Sequence, residues 1–249
     1  MIENQNTIVV IPARMASTRL PGKPLADIHG LPMILHVWKR AVEANVGQVL
    51  VAAAEIEIAE AVRQHGGDAI VTDPAHPSGS DRIAEALALR DPERRFSFVV
   101  NLQGDLPTID PLSVQRCLAG LVNEQADIST IAARIEDQAD VDNPNIVKAI
   151  APLSAEREVA FARDFLRQVG PDQPPPHWHH IGVYAYRRPV LERFVSLPVS
   201  EREAGRRLEQ MRALDNGMRI VVVRVETVPL GVDTPAELEI ARKMLRKTA

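Results

Sequence analysis

Residues 7–25 read "TIVVIPARMASTRLPGKPL". Thr7 to Ile11 is an unbroken apolar, β-branched run, which predicts a buried strand over Thr7–Ala13. Straight after it come Arg14, Arg19 and Lys23, three cations within ten residues. Gly22-Lys23 resembles the end of a P-loop, but Ser17 stands where the first glycine belongs and Pro24 where the magnesium-binding hydroxyl belongs, which excludes one. The dinucleotide pattern G-x-G-x-x-G is absent too. What remains is a strand opening into a cationic loop. By default such charges are solvated surface; beside a ligand crevice they suit a polyanion, clamped by Arg and met by Lys as a point charge.

The flanking pattern bears on that choice. Strands are predicted at Gln48–Ala53, Asp68–Thr72 and Phe96–Leu102, with segments of helical period at Pro32–Asn45, Glu55–His65 and Asp81–Leu89 between them. This alternation implies βαβ units and a parallel sheet, hence an α/β fold. Ligands of open α/β sheets sit outside the carboxyl ends of the strands, so the loops opening at Ala13, Thr72 and Gln103 should converge on one crevice. In the second half, strand-like Asp127–Ala133, Asn145–Ala151, Ile181–Tyr186 and Arg219–Glu226 are separated by longer connections. The proline-rich "GPDQPPPHWHH" at 170–180 reads as an exposed loop, because consecutive prolines continue neither a helix nor a central strand. A helix is expected over Arg207–Asp215. The last helix starts with Thr234 as N-cap and Pro235 in its first turn.

Composition narrows the classes. With 249 residues, 45% of them hydrophobic, the chain can bury a sizeable core. A net charge of -4 gives no basic face for nucleic acid. The single cysteine, Cys117, forms no internal disulfide and fits a reducing cytoplasm; in its helical context it reads as a small buried apolar residue. No apolar run reaches the length of a membrane span, and "MIENQNT" does not read as a signal peptide, so a cytoplasmic protein without a membrane partner is expected.

Three further motifs carry candidate chemistry. "VVNLQGDLP" (99–107) ends a buried strand in Gln103-Gly104-Asp105, where Asp105 is either a turn former or a hard oxygen ligand for Mg²⁺. In "VPLGVDTP" (228–235), Asp233 either complements a helix dipole or supplies a second metal carboxylate. In "HPSGSDRIAEA" (76–86), Ser78 and Gly79 open a helix with Arg82 on its first turn: a plain cap, or a turn whose main-chain groups meet a nucleotide. "HWHH" at 177–180 lacks the partner ligands of a zinc site. His180 and Tyr184 are better placed to hydrogen-bond a polar substrate. No serine-hydrolase elbow occurs.

Taken in order, "IPARMASTRLPGKPLADIHGLPMI", "HPSGSDRIAE", "VNLQGDLP", "NPNIVKAI", "HHIGVYAYRR", "LEQMRAL" and "GVDTPAEL" resemble the CMP-Kdo synthetase (3-deoxy-manno-octulosonate cytidylyltransferase) family from about Val9 to Leu238. The resemblance implies a Rossmann-like nucleotidyltransferase fold with a smaller sugar-binding and dimerisation lobe. It divides the chain into a CTP-binding core of about 7–126, a lobe of about 127–215, and a returning strand and helix over 216–249. It further implies a homodimer, CTP and Mg²⁺, and the reaction of CTP with 3-deoxy-D-manno-octulosonate (Kdo) to CMP-Kdo and diphosphate in lipopolysaccharide biosynthesis. By the same resemblance Pro12, Ala13, Arg14, Arg19, Lys23, Ser78, Gly79, Arg82 and Gln103 bind CTP, and Asp105 and Asp233 bind the metal. Arg14, Lys23, Asp105 and Asp233 are the catalytic set. Gln103, Arg163, His180, Tyr184, Glu209 and Gln210 hold the sugar acid. The chain departs from the family pattern at Leu106, Ala53-Ala54 and 203–207, which leaves another sugar acid or a phosphonate open as acceptor, and a non-catalytic CTP-binding relative open as a third reading.

Overall fold

A computed structural model describes residues 4–246, which divide into two compact units. The first unit comprises the chain up to Gln115 and again from Pro229. It begins with β1 (Thr7–Ala13), the short pair β2 (Asp27–Ile28) and β3 (Leu31–Pro32), and α1 (Met33–Ala44). Then follow β4 (Gln48–Ala53), α2 (Ile56–Gln64), β5 (Asp68–Val71), α3 (Gly79–Arg90), β6 (Phe98–Leu102) and the start of α4 (Pro111–Asn123). Its strands run in the order β5-β4-β1-β6, each pair parallel. β1 is buried over its whole length, as a Val/Ile run flanked on both sides by strands must be.

Register explains why the loops meet. Ala13 pairs with Ala53 and Ala53 with Val71, so β1, β4 and β5 end level. Pairing of β1 with β6 stops at Val10–Asn101, so Pro12 lies beyond the last ladder position and its missing N–H breaks no bond there. Gly104 can follow because it has no side chain: a Cβ on it would stand 2.8 Å from the Pro12 carbonyl oxygen.

The second unit, Arg116–Val228, holds the rest of α4, β7 (Ile128–Arg134), α5 (Gln138–Asp142), β8 (Lys148–Ile150), β9 (Val159–Phe161) and β10 (Asp164–Leu166). It continues with β11 (Trp178–Arg187), α6 (Arg188–Ser196), α7 (Glu201–Arg206), α8 (Gln210–Asp215) and β12 (Ile220–Val225). β11 and β7 are antiparallel, β7 and β12 parallel, β12 and β9 antiparallel, while β8 pairs with β10 and β11. The chain then returns to the first unit with α9 (Pro235–Met244).

The α/β class stands: apart from the short antiparallel pair β2–β3, the strands of the first unit pair in parallel, and those of the second are mixed. Thr234 caps α9 with Pro235 in its first turn, as expected, and Glu237 completes a capping box. Three expectations change. "HWHH" does not sit wholly in a loop: β11 begins at Trp178, which is buried, while Pro174–Pro176 before it are exposed. The helix expected over Arg207–Asp215 starts later, as α8 at Gln210, because Arg207 adopts a left-handed conformation (φ 56°) that ends the preceding α7, a helix the sequence did not suggest. The strand expected over Asn145–Ala151 shrinks to three residues. Cys117 is fully buried as expected, and burial pushes its thiol up to about 12, far from nucleophilic use. Among the described residues no helix is long and apolar enough to cross a membrane.

Candidate active site

The loop after β1 is built to hold a fixed shape. Met15 N–H donates to Glu55 Oε2 (2.9 Å), and Gly22 N–H to the Met15 carbonyl (3.3 Å). Gly22 itself sits at φ 69°, where a side chain would strain the backbone, and it starts the tight turn that presents Lys23. Behind the loop, Ile28 and Met33 pack with Val232, Leu238 and Ala241 in a small apolar cluster that Leu20 and Ala26 flank. That cluster ties the cationic loop to the segment carrying Asp233. A second tie, Val232 N–H to the Asp105 carbonyl at 2.9 Å, joins the same segment to the end of β6.

These three segments open one cleft of about 420 Å³. Pro12, Ala13, Arg14, Arg19, Lys23, Ser78, Gly79, Arg82, Gln103, Asp105 and Asp233 all line it. The nucleotide and metal residues expected from the sequence are therefore gathered in one place. At its floor the Lys23 ammonium donates to Asp105 Oδ2 at 2.9 Å and to Asp233 Oδ1 at 2.8 Å, and Arg19 reaches Asp233 Oδ2 at 2.8 Å. Two carboxylates that share one ammonium stand no farther apart than twice such a bond. For Lys23, burial works to lower the pKa, but Asp105 and Asp233 outweigh it and hold the ammonium above its ordinary value. For Asp233, burial tends to raise the pKa, and Lys23 with Arg19 overcomes it, so the carboxyl lies below the usual range.

Arg82 is a different kind of cation. It is only 2% exposed, with Nη1 donating to Thr72 Oγ1 (2.7 Å) and the Asp73 carbonyl (3.0 Å). Its Nη2 has no hydrogen-bond partner among the described residues. A buried donor without an acceptor on a cleft wall is costly unless a ligand supplies one. Ser78 caps α3, its Oγ accepting from Asp81 N–H at 3.2 Å. Gly79 lets that turn close on β1: a Cβ there would lie 3.3 Å from Pro12 Cγ. Gln103 is oriented by its amide donating to Asn101 Oδ1 at 3.0 Å.

Sequence reasoning missed His76 and Glu55. His76 lines the cleft with Nε2 2.6 Å from Glu85 Oε2, and Glu85 also accepts from Asp73 N–H at 2.8 Å. The motif "HPSGSDRIAEA" contains both, but a nine-residue separation is no helical spacing and gives no sign that they meet. Glu55 lies forty residues from the loop it fastens.

Arg163, His180, Tyr184, Glu209 and Gln210 belong to the second unit. His180 is buried, its ring 4.9 Å from Phe165 and 5.5 Å from Tyr184. Thr130 Oγ1 donates to the Val183 carbonyl (2.8 Å), so at 3.0 Å from His180 Nε2 it is placed to accept from that nitrogen. Burial, with His179 nearby, pulls the His180 pKa down to about 3; burial, with Glu209 adding its charge, pushes Tyr184 up. Gln210 is buried, and among the described residues its amide nitrogen has no hydrogen-bond partner. Arg163 is exposed in the turn between β9 and β10, and its side chain makes no hydrogen bond or ion pair among the described residues.

Asp105 and Asp233 are the candidate metal ligands. Among the described residues no group of three or more His, Cys, Asp or Glu forms a cage for an ion. Two carboxylates facing a polyanion cleft nevertheless fit Mg²⁺, which commonly takes one or two protein carboxylates and completes its octahedron with phosphates and water.

The cytidylyltransferase family model matches residues 8–220. The 3-deoxy-manno-octulosonate cytidylyltransferase of Paramagnetospirillum magneticum is 55% identical over 239 residues, covering 96% of this chain and 97% of the relative. The chain belongs to the 3-deoxy-manno-octulosonate cytidylyltransferase family. The family's member from Parvibaculum lavamentivorans is 56% identical, covering 96% of this chain and 93% of its own. A solved structure of CMP:2-keto-3-deoxy-manno-octonic acid synthetase complexed with CTP superposes with a TM-score of 0.87 at 37% identity, covering 96% of this chain and 98% of that one. The family and the fold thus agree with the resemblance drawn from the motifs.

Proposed function

We propose that the chain catalyses the reaction CTP + Kdo → CMP-Kdo + diphosphate, activating the sugar acid for lipopolysaccharide biosynthesis. One observation carries this reading: Arg19 and Lys23 interlock with two aspartates that lie 82 and 210 residues from Lys23 in sequence, in a single cleft that Arg14 also lines, in a chain of this family. The anomeric hydroxyl of the sugar acid attacks the α-phosphorus of CTP, a new phosphorus–oxygen bond forms, and the bond to the β-phosphate oxygen breaks. Such a transfer asks little covalent chemistry of the protein; positioning and charge stabilisation do most of the work. Arg14, Arg19 and Lys23 neutralise the triphosphate and the departing diphosphate. Arg82 offers its open Nη2 donor to the nucleotide. Asp105 and Asp233 are the residues to hold Mg²⁺, which supplies Lewis-acid polarisation of phosphate oxygens when bound.

For the sugar acid the second unit offers Arg163, whose guanidinium is suited to a carboxylate and makes no hydrogen bond or ion pair among the described residues, and Gln210, whose amide donor has no partner among them. His180, Tyr184 and Glu209 complete this set. The departure at Leu106 is a matter of packing: the side chain is buried, its Cδ2 3.9 Å from where a Gly231 Cβ would stand. It therefore gives no reason to prefer another acceptor. A homodimer and a cytoplasmic location belong to the same reading, supported by the resemblance and by the lone buried Cys117; sedimentation of the purified chain checks the first. The decisive assay incubates the protein with CTP, Mg²⁺ and Kdo and reads CMP-Kdo by mass spectrometry. Product is expected; diphosphate release with some other sugar acid but not Kdo overturns the acceptor, and none with any acceptor overturns the transferase.

A further inference from the structure

We infer that Lys23 is an internal stand-in for the divalent metal, so that the metal binds tightly only when a nucleotide draws Lys23 away. This rests on the assignment of Asp105 and Asp233 as metal ligands. The Lys23 ammonium lies between the two carboxylates, within hydrogen-bond distance of an oxygen of each. Both oxygens of Asp233 are already engaged, Oδ1 by Lys23 and Oδ2 by Arg19. A metal ion binding to this pair must displace at least one cation and then repel it at close range. Without any cation the two aspartates would repel each other, so Lys23 also keeps them in place in the nucleotide-free protein.

A triphosphate changes the balance. Lys23 and Arg19 line the same cleft as Arg14, and Lys carries its charge on a flexible stem with rotatable donors. Phosphate oxygens give the two cations new partners, and the carboxylates they leave behind become free to take the metal. Nucleotide and metal therefore bind with positive coupling, each raising affinity for the other by the same factor. The nucleotide-free chain binds divalent ions weakly despite holding two adjacent carboxylates. The order has a use: the metal is recruited only to a cleft that already contains the nucleotide.

Mn²⁺ tests this directly, with the free ion counted by its electron paramagnetic resonance signal. In the absence of nucleotide, Lys23→Met is expected to bind Mn²⁺ at least about tenfold more tightly than the wild type, within the usual range of coupling between sites. Lys23→Arg, which keeps the charge, is expected to stay weak, and adding Asp105→Asn to Lys23→Met is expected to abolish the gain. Lys23→Met no tighter than wild type, or Lys23→Arg gaining as much, overturns the exchange. A readout on the wild type avoids any question of folding: saturating Mn²⁺ without nucleotide should expose the Lys23 amine and speed its acylation by a small amine-reactive ester, mapped by peptide mass. An unchanged rate overturns the proposal. Should Mn²⁺ binding in the presence of CTP be indifferent to Asp105→Asn and Asp233→Asn, the metal assignment itself fails; should it need both aspartates while Lys23→Met shows no gain, only the exchange fails.

Discussion

In the first unit the decisive polar groups lie on loops at the rim of a parallel sheet and neutralise one another. Lys23, Arg19, Asp105 and Asp233 are partly exposed and reach one another from distant segments. In the second unit two prominent polar groups sit inside. His180 is held neutral among aromatic rings, and Arg212 meets Glu203 through two bonds of 2.9 Å, with both side chains largely buried. The contrast teaches where a given charge is used. Exposed ion pairs contribute little to stability and are free to exchange partners, whereas buried pairs are costly to break and fix the fold. The first unit should therefore lose chemistry on mutation and keep its shape, and the second should do the reverse.

The largest effect expected is on turnover. Asp105→Asn should lower kcat/KM by about 10³-fold, as loss of a charge-stabilising group at a reacting centre does, while the thermal midpoint stays close to wild type. Steady-state diphosphate release and a melting curve on the same preparation check both halves; intact turnover, or a collapse of the fold, breaks the contrast. Next comes Glu203→Gln. It removes the charge partner that takes two bonds from the buried Arg212, leaving Glu209 at 3.5 Å as its nearest carboxylate, and urea denaturation should show a loss of about 3 kcal/mol. CTP affinity, measured by calorimetry, should not move.

The third effect is spread over pH. Unfolded, His180 takes a proton as pH falls through about 6.5, but folded it stays neutral down to about 3. Its contribution to stability is therefore full above 6.5 and is lost progressively as the pH falls towards 3. Wild type should lose about 1.4 kcal/mol per pH unit more than His180→Gln in that window. Parallel pH profiles for the two proteins would show that His180 does not titrate in this way.

Much of the first unit was legible because its signals are local. The Val/Ile runs of β1 and β4 have in the structure the limits predicted, since a strand buried between two others admits few polar residues. The cations and aspartates stood out because charges at the carboxyl ends of such strands have few structural uses. Their mutual pairing was not legible, because Lys23 meets Asp105 and Asp233 across 82 and 210 residues of chain. In the second unit β9 and β10 are three residues each and separated by an exposed Arg163, too short to show a period. The start of β11 hid behind prolines, and the burial of His180 depends on Phe165 and Tyr184, whose rings only the tertiary fold brings to it.

A crystal structure with CTP is the most direct trial of the picture of cations and aspartates closing around one nucleoside triphosphate. The expected result places the β- and γ-phosphates within hydrogen-bond reach of Arg14, Arg19 and Lys23, the nucleoside against Arg82, and Lys23 turned away from Asp105 and Asp233. A triphosphate seated elsewhere, with the Lys23 bridge undisturbed, would contradict it.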